Sequence, residues 1–321
     1  MHMKIQMRWI ALAALAALFQ AATAEDYYVS GWMSDNSLRF NSAGIGNGSL
    51  SGSALNGPQA MRYGPDGLLY VADELNHRVA KFNAVTGAFV GNAFTPGLGG
   101  LQGPTGIAWD TNGNLLVCGF DNDAVYKYNS AGALLGTLVT PGLGGLNGPD
   151  VGMTVGPDGY LYVPSFWNGA VKRYNLTTGA FVDNFFIGGG LQTPRTILWR
   201  NGSAYVSDDF GDKVLKFDAA TGAFQSVFVT ANSGGLNGAC GMMFNSAGEL
   251  LVTSVNTDSV LRYNGTNGSF AGTLIGPGSG LDGPTFITAV PEPTTALALA
   301  VGGAFLARRR RKSKSIGLKN N

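Results

Sequence analysis

"GPTGIAWDTNGNLLVCGFDNDAVYKYN" occupies residues 103–129. Within it, TGIAWD (105–110), NLLVCGF (114–120) and AVYKYN (124–129) are short apolar runs parted by TNG and DND. Each run is rich in β-branched and aromatic residues and is bounded by Gly, Asn or Asp, which is how strands joined by tight turns are written. A turn, SAG, then leads to a fourth run, ALLGTLVT (133–140).

The same grammar recurs along the chain. Leu-x-Gly-Pro returns as LNGP (55–58), LQGP (101–104), LNGP (146–149), LQTP (191–194), LNGA (236–239) and LDGP (281–284), a period of 45 or 46 residues. The third run repeats as VAKFN (79–83), VYKYN (125–129), VKRYN (171–175), VLKFD (214–218) and VLRYN (260–264). A self-similar period of this length built from four short strands is one blade of a propeller. Five units run whole from Pro58 to Leu281. Ahead of them, YYVSGW (27–32), SLRFN (37–41) and GSLSGS (48–53) match strands two to four of a unit that lacks its first. Behind them, GPTFITAV (283–290) matches a lone first strand. Joined, these pieces predict an all-β, six-bladed β-propeller with four-stranded blades, the last closed by three N-terminal strands and one C-terminal strand.

Units 57–83 and 103–129 resemble NHL repeats, a six-bladed propeller family, and the resemblance extends over most of residues 27–290. It implies a fold and leaves the chemistry open. Relatives in the wider propeller group include lactonases with a channel metal held by Glu, Asn and Asp, and lyases using His or a metal. The resemblance therefore carries an alternative reading, a lactonase- or lyase-like enzyme with a divalent metal in the channel at Asp150 and Asp208.

The two ends carry sorting information. Lys4 and Arg8 precede an apolar stretch from Ile10 to Phe19 and the small-residue site Ala22-Thr23-Ala24, the layout of a secretory signal peptide cleaved after Ala24. At the other end, Thr294–Ala307 is uncharged and is followed by Arg308, Arg309, Arg310, Arg311 and Lys312. As a helix those apolar residues reach roughly 21 Å, a short span whose cations hold the end on the cytoplasmic side. Val290-Pro291-Glu292-Pro293, an apolar helix and an arginine cluster together resemble the PEP-CTERM sorting signal of Gram-negative bacteria. That signal implies processing by an exosortase, an integral-membrane protease, often in species that make exopolysaccharide. The expected layout is a signal peptide at 1–24, a propeller at 25–289, a sorting signal with its transmembrane segment at 290–312 and a short basic cytoplasmic tail at 313–321. The expected route is export, an inner-membrane-anchored intermediate, then the envelope, surface or extracellular matrix.

Charge narrows the partners. Residues 25–307 hold 12 basic and 20 acidic side chains, a formal net charge of −8. A body this acidic repels a phosphate backbone, so nucleic acid is excluded as a partner. Cys118 and Cys240, the two cysteines, fall in units on opposite sides of the ring and are expected as unpaired, buried thiols. Beyond the signal peptide the one histidine is His77, in the loop ELNHR, which reads as an ordinary loop residue. There is no G-x-S-x-G elbow, and one histidine cannot build a multi-His zinc site. GPDG (64–67, 156–159) and DTNG (110–113) read as turns rather than calcium loops. The expectation is a chain without catalytic residues, metal or cofactor.

Candidate ligand residues remain on the face that carries the Leu-x-Gly-Pro loops. Arg62, Asp150, Arg195 and Asp208 fall near starts of first strands or ends of second strands, and Asp150 and Arg195 sit in adjacent units and could pair. Trp32, Phe120, Phe166, Trp167 and Phe210 occupy equivalent or neighbouring positions in the loops between strands two and three. Aromatic faces flanked by carboxylates and amides stack on sugar rings. The leading expectation is a non-enzymatic binding module for polysaccharide or a matrix protein. A purely structural matrix protein is the third reading.

Overall fold

Where each Leu-x-Gly-Pro element ends, the chain enters the innermost strand of a blade. The computed structural model describes residues 25–291. Ala22 and Ala24 of the expected signal peptide, and Glu292, Pro293 and Arg308 to Arg311 of the expected sorting signal, lie outside them. The described residues form six four-stranded antiparallel sheets. Blades 1 to 5 span residues 58–92, 104–139, 154–186, 194–229 and 239–275, each running in sequence from inner to outer strand. Blade 6 takes its inner strand, Pro284–Ala289, from the C-terminal side and Tyr27–Gly31, Asn36–Phe40 and Gly46–Ser49 from the N-terminal side. The six-bladed ring and its composite last blade are thus as the sequence implies. Among the described residues no helix is long and apolar enough to cross a membrane.

The closing pair is antiparallel, with Tyr27 opposite Ala289, Val29 opposite Ile287 and Gly31 opposite Pro284. It is extended at both ends, by Trp32 N–H to Gly283 O (2.9 Å) and Val290 N–H to Asp26 O (2.7 Å). Val290 is buried. The first residue of the expected sorting motif therefore belongs to the ring.

The core lies between blades rather than within one. Its five clusters each join side chains of neighbouring blades. The aromatic residue of every third strand (Phe40, Phe82, Tyr128, Tyr174, Phe217, Tyr263) is essentially inaccessible. The Asn or Asp that follows ends that strand by accepting backbone N–H groups two or more residues on, as in Asn129 to Ala131 (3.0 Å) and Asp218 to Ala220 (3.0 Å).

Two strands depart from the pattern. Blade 6's outer strand lies at Gly46–Ser49 rather than 48–53, because Ser51 leaves that blade to bridge Ala88 in parallel, with Ser51 N–H on Gly87 O (2.8 Å). Blade 3's inner strand shrinks to Thr154–Val155, because Asp150 to Met153 form a turn (Met153 N–H to Asp150 O, 3.2 Å). Gly152 in that turn lies against the backbone of Arg195, and no side chain fits there.

A clasp joins successive blades. The residue ending the turn between strands two and three is left-handed, at φ 52 for Asp35, 50 for His77, 52 for Asp123, 50 for Asp212 and 48 for Asp258. Asp and His tolerate that conformation better than most non-glycine residues. Each accepts the glycine N–H of the next blade's Leu-x-Gly-Pro loop: Asp35 from Gly57 (2.8 Å), His77 Nδ1 from Gly103 (3.1 Å), Asp123 from Gly148 (2.7 Å), Asp212 from Gly238 (2.7 Å) and Asp258 from Gly283 (2.9 Å). At the remaining junction the loop reads LQTP and the clasp position is Gly169, whose Cβ would crowd Leu191 O at 2.8 Å. There Asp208 takes Gln192 N–H (3.0 Å) and Thr193 N–H (2.8 Å) instead. His77 is therefore a structural acceptor. His77→Asp is expected to keep the melting temperature within error, whereas His77→Ala loses about 1–2 kcal/mol through the lost acceptor and a strained backbone. Denaturant unfolding of both variants checks this.

Candidate functional site

The channel mouth on the loop face is assembled by one repeated hydrogen bond. The residue after each second strand donates its N–H to the Leu-x-Gly-Pro loop of its own blade, as in Phe120 to Gly103 O (2.8 Å), Phe166 to Gly148 O (3.0 Å) and Asp209 to Thr193 O (3.0 Å). That bond sets Trp32, Glu74, Phe120, Phe166, Asp209 and Val255 at equivalent places around the mouth.

At its centre lies a buried ion-pair chain. Arg195 Nε is 2.9 Å from Asp150 Oδ2, and its Nη1 is 2.9 Å from Asp209 Oδ2. The guanidinium carbon lies 5.3 Å from the centroid of Phe166, within cation–π range. Asp150 also accepts Val151 N–H at 2.6 Å. The pairing of Asp150 with Arg195 across adjacent blades is the arrangement their positions suggest. Burial pushes the Asp150 carboxyl up to about 6, with Arg195 opposing it and Glu74 and Asp209 adding repulsion. Burial likewise raises Asp209 and Glu74 against the attraction of Arg195. Burial first, and then the mutual repulsion of three acids sharing one arginine, keeps the Asp150 carboxyl protonated to a higher pH than a free one.

Glu74 and Asp209 were not singled out from the sequence, where the acids considered were Asp150 and Asp208, near starts of first strands or ends of second strands. They reach the mouth from the loops instead. Glu74 Oε2 accepts Trp32 Nε1 (2.7 Å) and Gln59 Nε2 (2.5 Å). Aligning the units at the residue after strand two reveals both.

The other candidates separate. Asp208 is buried, but its Oδ1 holds the LQTP loop amides and its Oδ2 lies 3.4 Å from Lys213 Nζ. It acts as a loop anchor, matching Asp73, which accepts Asn56 N–H (2.7 Å) and pairs with Arg78 (2.6 Å). Arg62 is near the far end of its strand, opposite Tyr70 in register, and so belongs to the opposite half of the channel rather than to the loop mouth. Four extended residues beyond Pro58 carry it about 13 Å along the strand.

Four of the five aromatic candidates converge. Phe166 touches Phe120 (6.0 Å), Trp167 (4.7 Å) and Phe210 (5.5 Å), centroid to centroid, and Trp167 lies 6.4 Å from Phe210. All four contacts are edge-to-face, the favoured geometry for aromatic pairs. Phe166 is buried, while Trp167 is 56% and Phe210 60% exposed. Trp32 stands apart, held by Glu74. The positions of Trp167 and Phe210 in the other loops bring Met33 (55%) and Leu75 (49%), also exposed, to the same face.

Cys118 and Cys240 are buried and unpaired. Cys118 Sγ lies 3.4 Å from Met153 Sδ, Cys240 Sγ donates to Thr285 O at 3.0 Å, and burial raises both thiols. Among the described residues no group of three or more His, Cys, Asp or Glu side chains is placed to hold a metal ion.

Comparison with known proteins agrees with this architecture. Residues 55–82 match the NHL repeat, and residues 289–312 match the PEP-CTERM protein-sorting motif. The chain thus carries an NHL repeat within a six-bladed propeller, followed by a PEP-CTERM signal that marks an exported, exosortase-sorted protein passing through a membrane-anchored intermediate to the envelope. No curated protein matches the sequence. Among solved structures, a Bacteroides caccae protein of unknown function is similar at 14% identity and TM-score 0.65, over 84% of this chain and 100% of the other. A chain of the nidogen/laminin complex is similar at 15% identity and TM-score 0.66, over 84% and 98%. Virginiamycin B lyase of Staphylococcus aureus is similar at 13% identity and TM-score 0.56, over 84% and 81%. At such identities the likeness is one of fold.

The acid cluster gives a sign for pH dependence. Asp150 is protonated to a higher pH when folded than when unfolded, so its contribution to stability is full below about pH 4 and is lost as pH rises through about 6. Thermal unfolding between pH 4 and 7 is therefore expected to fall more steeply for the wild type than for Asp150→Asn. The difference in slope corresponds to roughly 1–3 kcal/mol across that window.

Proposed function

We propose that this protein is a non-enzymatic binding module, delivered by its sorting signal to the envelope surface or extracellular matrix, whose loop-face crown engages polysaccharide or a matrix protein. The observation that carries this reading is the crown itself. Met33, Leu75, Trp167 and Phe210 stand exposed at equivalent loop positions in blades 6, 1, 3 and 4 around one channel mouth. Repeated large apolar side chains exposed on one face of a soluble domain mark an interaction surface. Beneath them, the buried chain from Asp150 through Arg195 to Asp209 fixes Phe166 and so the slope of its neighbours. The aromatic faces suit the apolar face of a sugar ring, with the rim acids and amides for its hydroxyls.

The position of the sorting signal supports the same orientation. The last inner strand runs away from the loop face, and the chain leaves at Val290, bound to Asp26 O. An anchored intermediate then holds the opposite face toward the membrane and presents the crown outward. The alternative, a channel-metal lyase or lactonase, draws only on the likeness of fold. Asp150 is committed to Arg195, and Asp208 to loop amides and Lys213.

Pull-down of the purified chain with extracellular polysaccharide and matrix proteins of the producing cells tests the reading. Binding is expected, and Trp167→Ala and Phe210→Ala should each weaken it by about 10- to 30-fold. Val227→Ala, on the outer strand of blade 4, should leave it unchanged. Binding that survives loss of both aromatics, or metal-dependent turnover of a lactone or ester that Asp150→Asn abolishes, contradicts the proposal.

A further inference from the structure

The central channel holds two arginines in opposite circumstances. Arg195, at the loop mouth, is held by two carboxylates. Arg62, in the other half, has no carboxylate within ion-pair distance among the described residues. Its Nη2 donates one long hydrogen bond, 3.4 Å, to Met153 O, and its guanidinium carbon stands 5.5 Å from the centroid of Phe286. Its Nε is buried and bonded to nothing. Burial alone lowers its pKa to about 10, so it remains a cation at neutral pH.

A cavity of about 390 Å³ opens beside it, within the roughly 300–1,000 Å³ of small-molecule sites. Met61, Trp109, Leu198, Met242 and Phe286 supply an apolar wall, and no acidic residue lines the cavity. Thr196 also lines it, and its hydroxyl is a second buried polar group without a partner. Buried polar groups are ordinarily satisfied, and an uncompensated cation is more costly still. Arg62, which is partly buried, and Thr196 both line this apolar, acid-free cavity, which describes a site suited to an anion with an apolar body. A single guanidinium and one hydroxyl match the two oxygens of a carboxylate, whereas a doubly charged phosphate would stay half compensated.

We infer that this half of the channel is a binding site for a small monocarboxylate with an apolar body, its carboxylate on Arg62 and Thr196 and its body against the methionine and phenylalanine wall. The site is on the opposite face from the crown and does not depend on it.

Titration calorimetry of the detergent-solubilised full chain, with hexanoate and its isosteric amide hexanamide as probes, tests this. Hexanoate is expected to bind at least about tenfold more tightly than hexanamide. Arg62→Met should abolish that preference while keeping a cooperative melt, since it removes an uncompensated charge. Arg62→Lys, which keeps the charge and loses the fork, should weaken hexanoate without erasing the preference, and Thr196→Val should weaken it too. Equal affinity for the two probes, a preference that survives Arg62→Met, or no binding of hexanoate at millimolar concentration would overturn the inference. Binding that appears only after Glu292→Gln would identify the sorting motif's own carboxylate as the occupant, and would overturn it as well.

Discussion

Everything in this fold depends on one antiparallel pairing, between Tyr27–Gly31 and Pro284–Ala289. Each blade buries its faces against its neighbours, so an open row would leave two faces and two sheet edges bare. Closure turns six marginal sheets into one ring with inner strands packed side by side. Because that pairing joins the first and last strands of the propeller, it forms only when the last strand is available. The match to the sorting motif begins at residue 289, the last of that strand, so ring closure and the start of the signal occupy the same few residues. Val290, held by Asp26 O and buried, belongs to both.

Around that constraint, repeated positions build scaffold and departures from the repeat build chemistry. Left-handed clasps, turn-forming Asn and Asp residues and inaccessible third-strand aromatics recur around the ring. Apart from the outer strand of blade 6, the exceptions gather in blades 3 and 4. Asp150 breaks an inner strand and so reaches the mouth, Gly152 makes room for Arg195, and Gly169 with Thr193 replaces the usual clasp. The loop that loses its clasp carries Trp167, and the neighbouring loop carries Phe210. Two of the four exposed crown residues therefore sit in the blades where the scaffold departs from its repeat.

The architecture was legible in the sequence because its determinants are local and periodic. Strand alternation, turn residues and the Leu-x-Gly-Pro spacing each report on a few neighbouring residues, and six copies average away ambiguity. The fourth strand of blade 6 was placed about two residues late because Ser51 pairs with a different blade, a contact that no local pattern encodes. At the site, the Asp150–Arg195 pair could be read from adjacency of units, and the convergence of Phe120, Phe166, Trp167 and Phe210 from their loop positions. Arg62 was assigned to the wrong mouth because distance along an extended strand was not counted. Asp208 proved a loop anchor, since a buried acid at a strand end serves equally as ligand or scaffold until its partners are known. The positions of Glu74 and Asp209 could have been found by aligning the units after strand two, but their burial and shared field emerge only once the ring brings loops from several blades together.

The most direct test is to end the chain on either side of the closing strand. A chain stopping at Pro291 retains the whole pairing and is expected to melt in one cooperative transition with native near-ultraviolet signal. A chain stopping at Gly283 should lack that transition and expose its blade faces to a hydrophobic dye. Cooperative melting of the Gly283 chain at the temperature of the longer one would contradict the account.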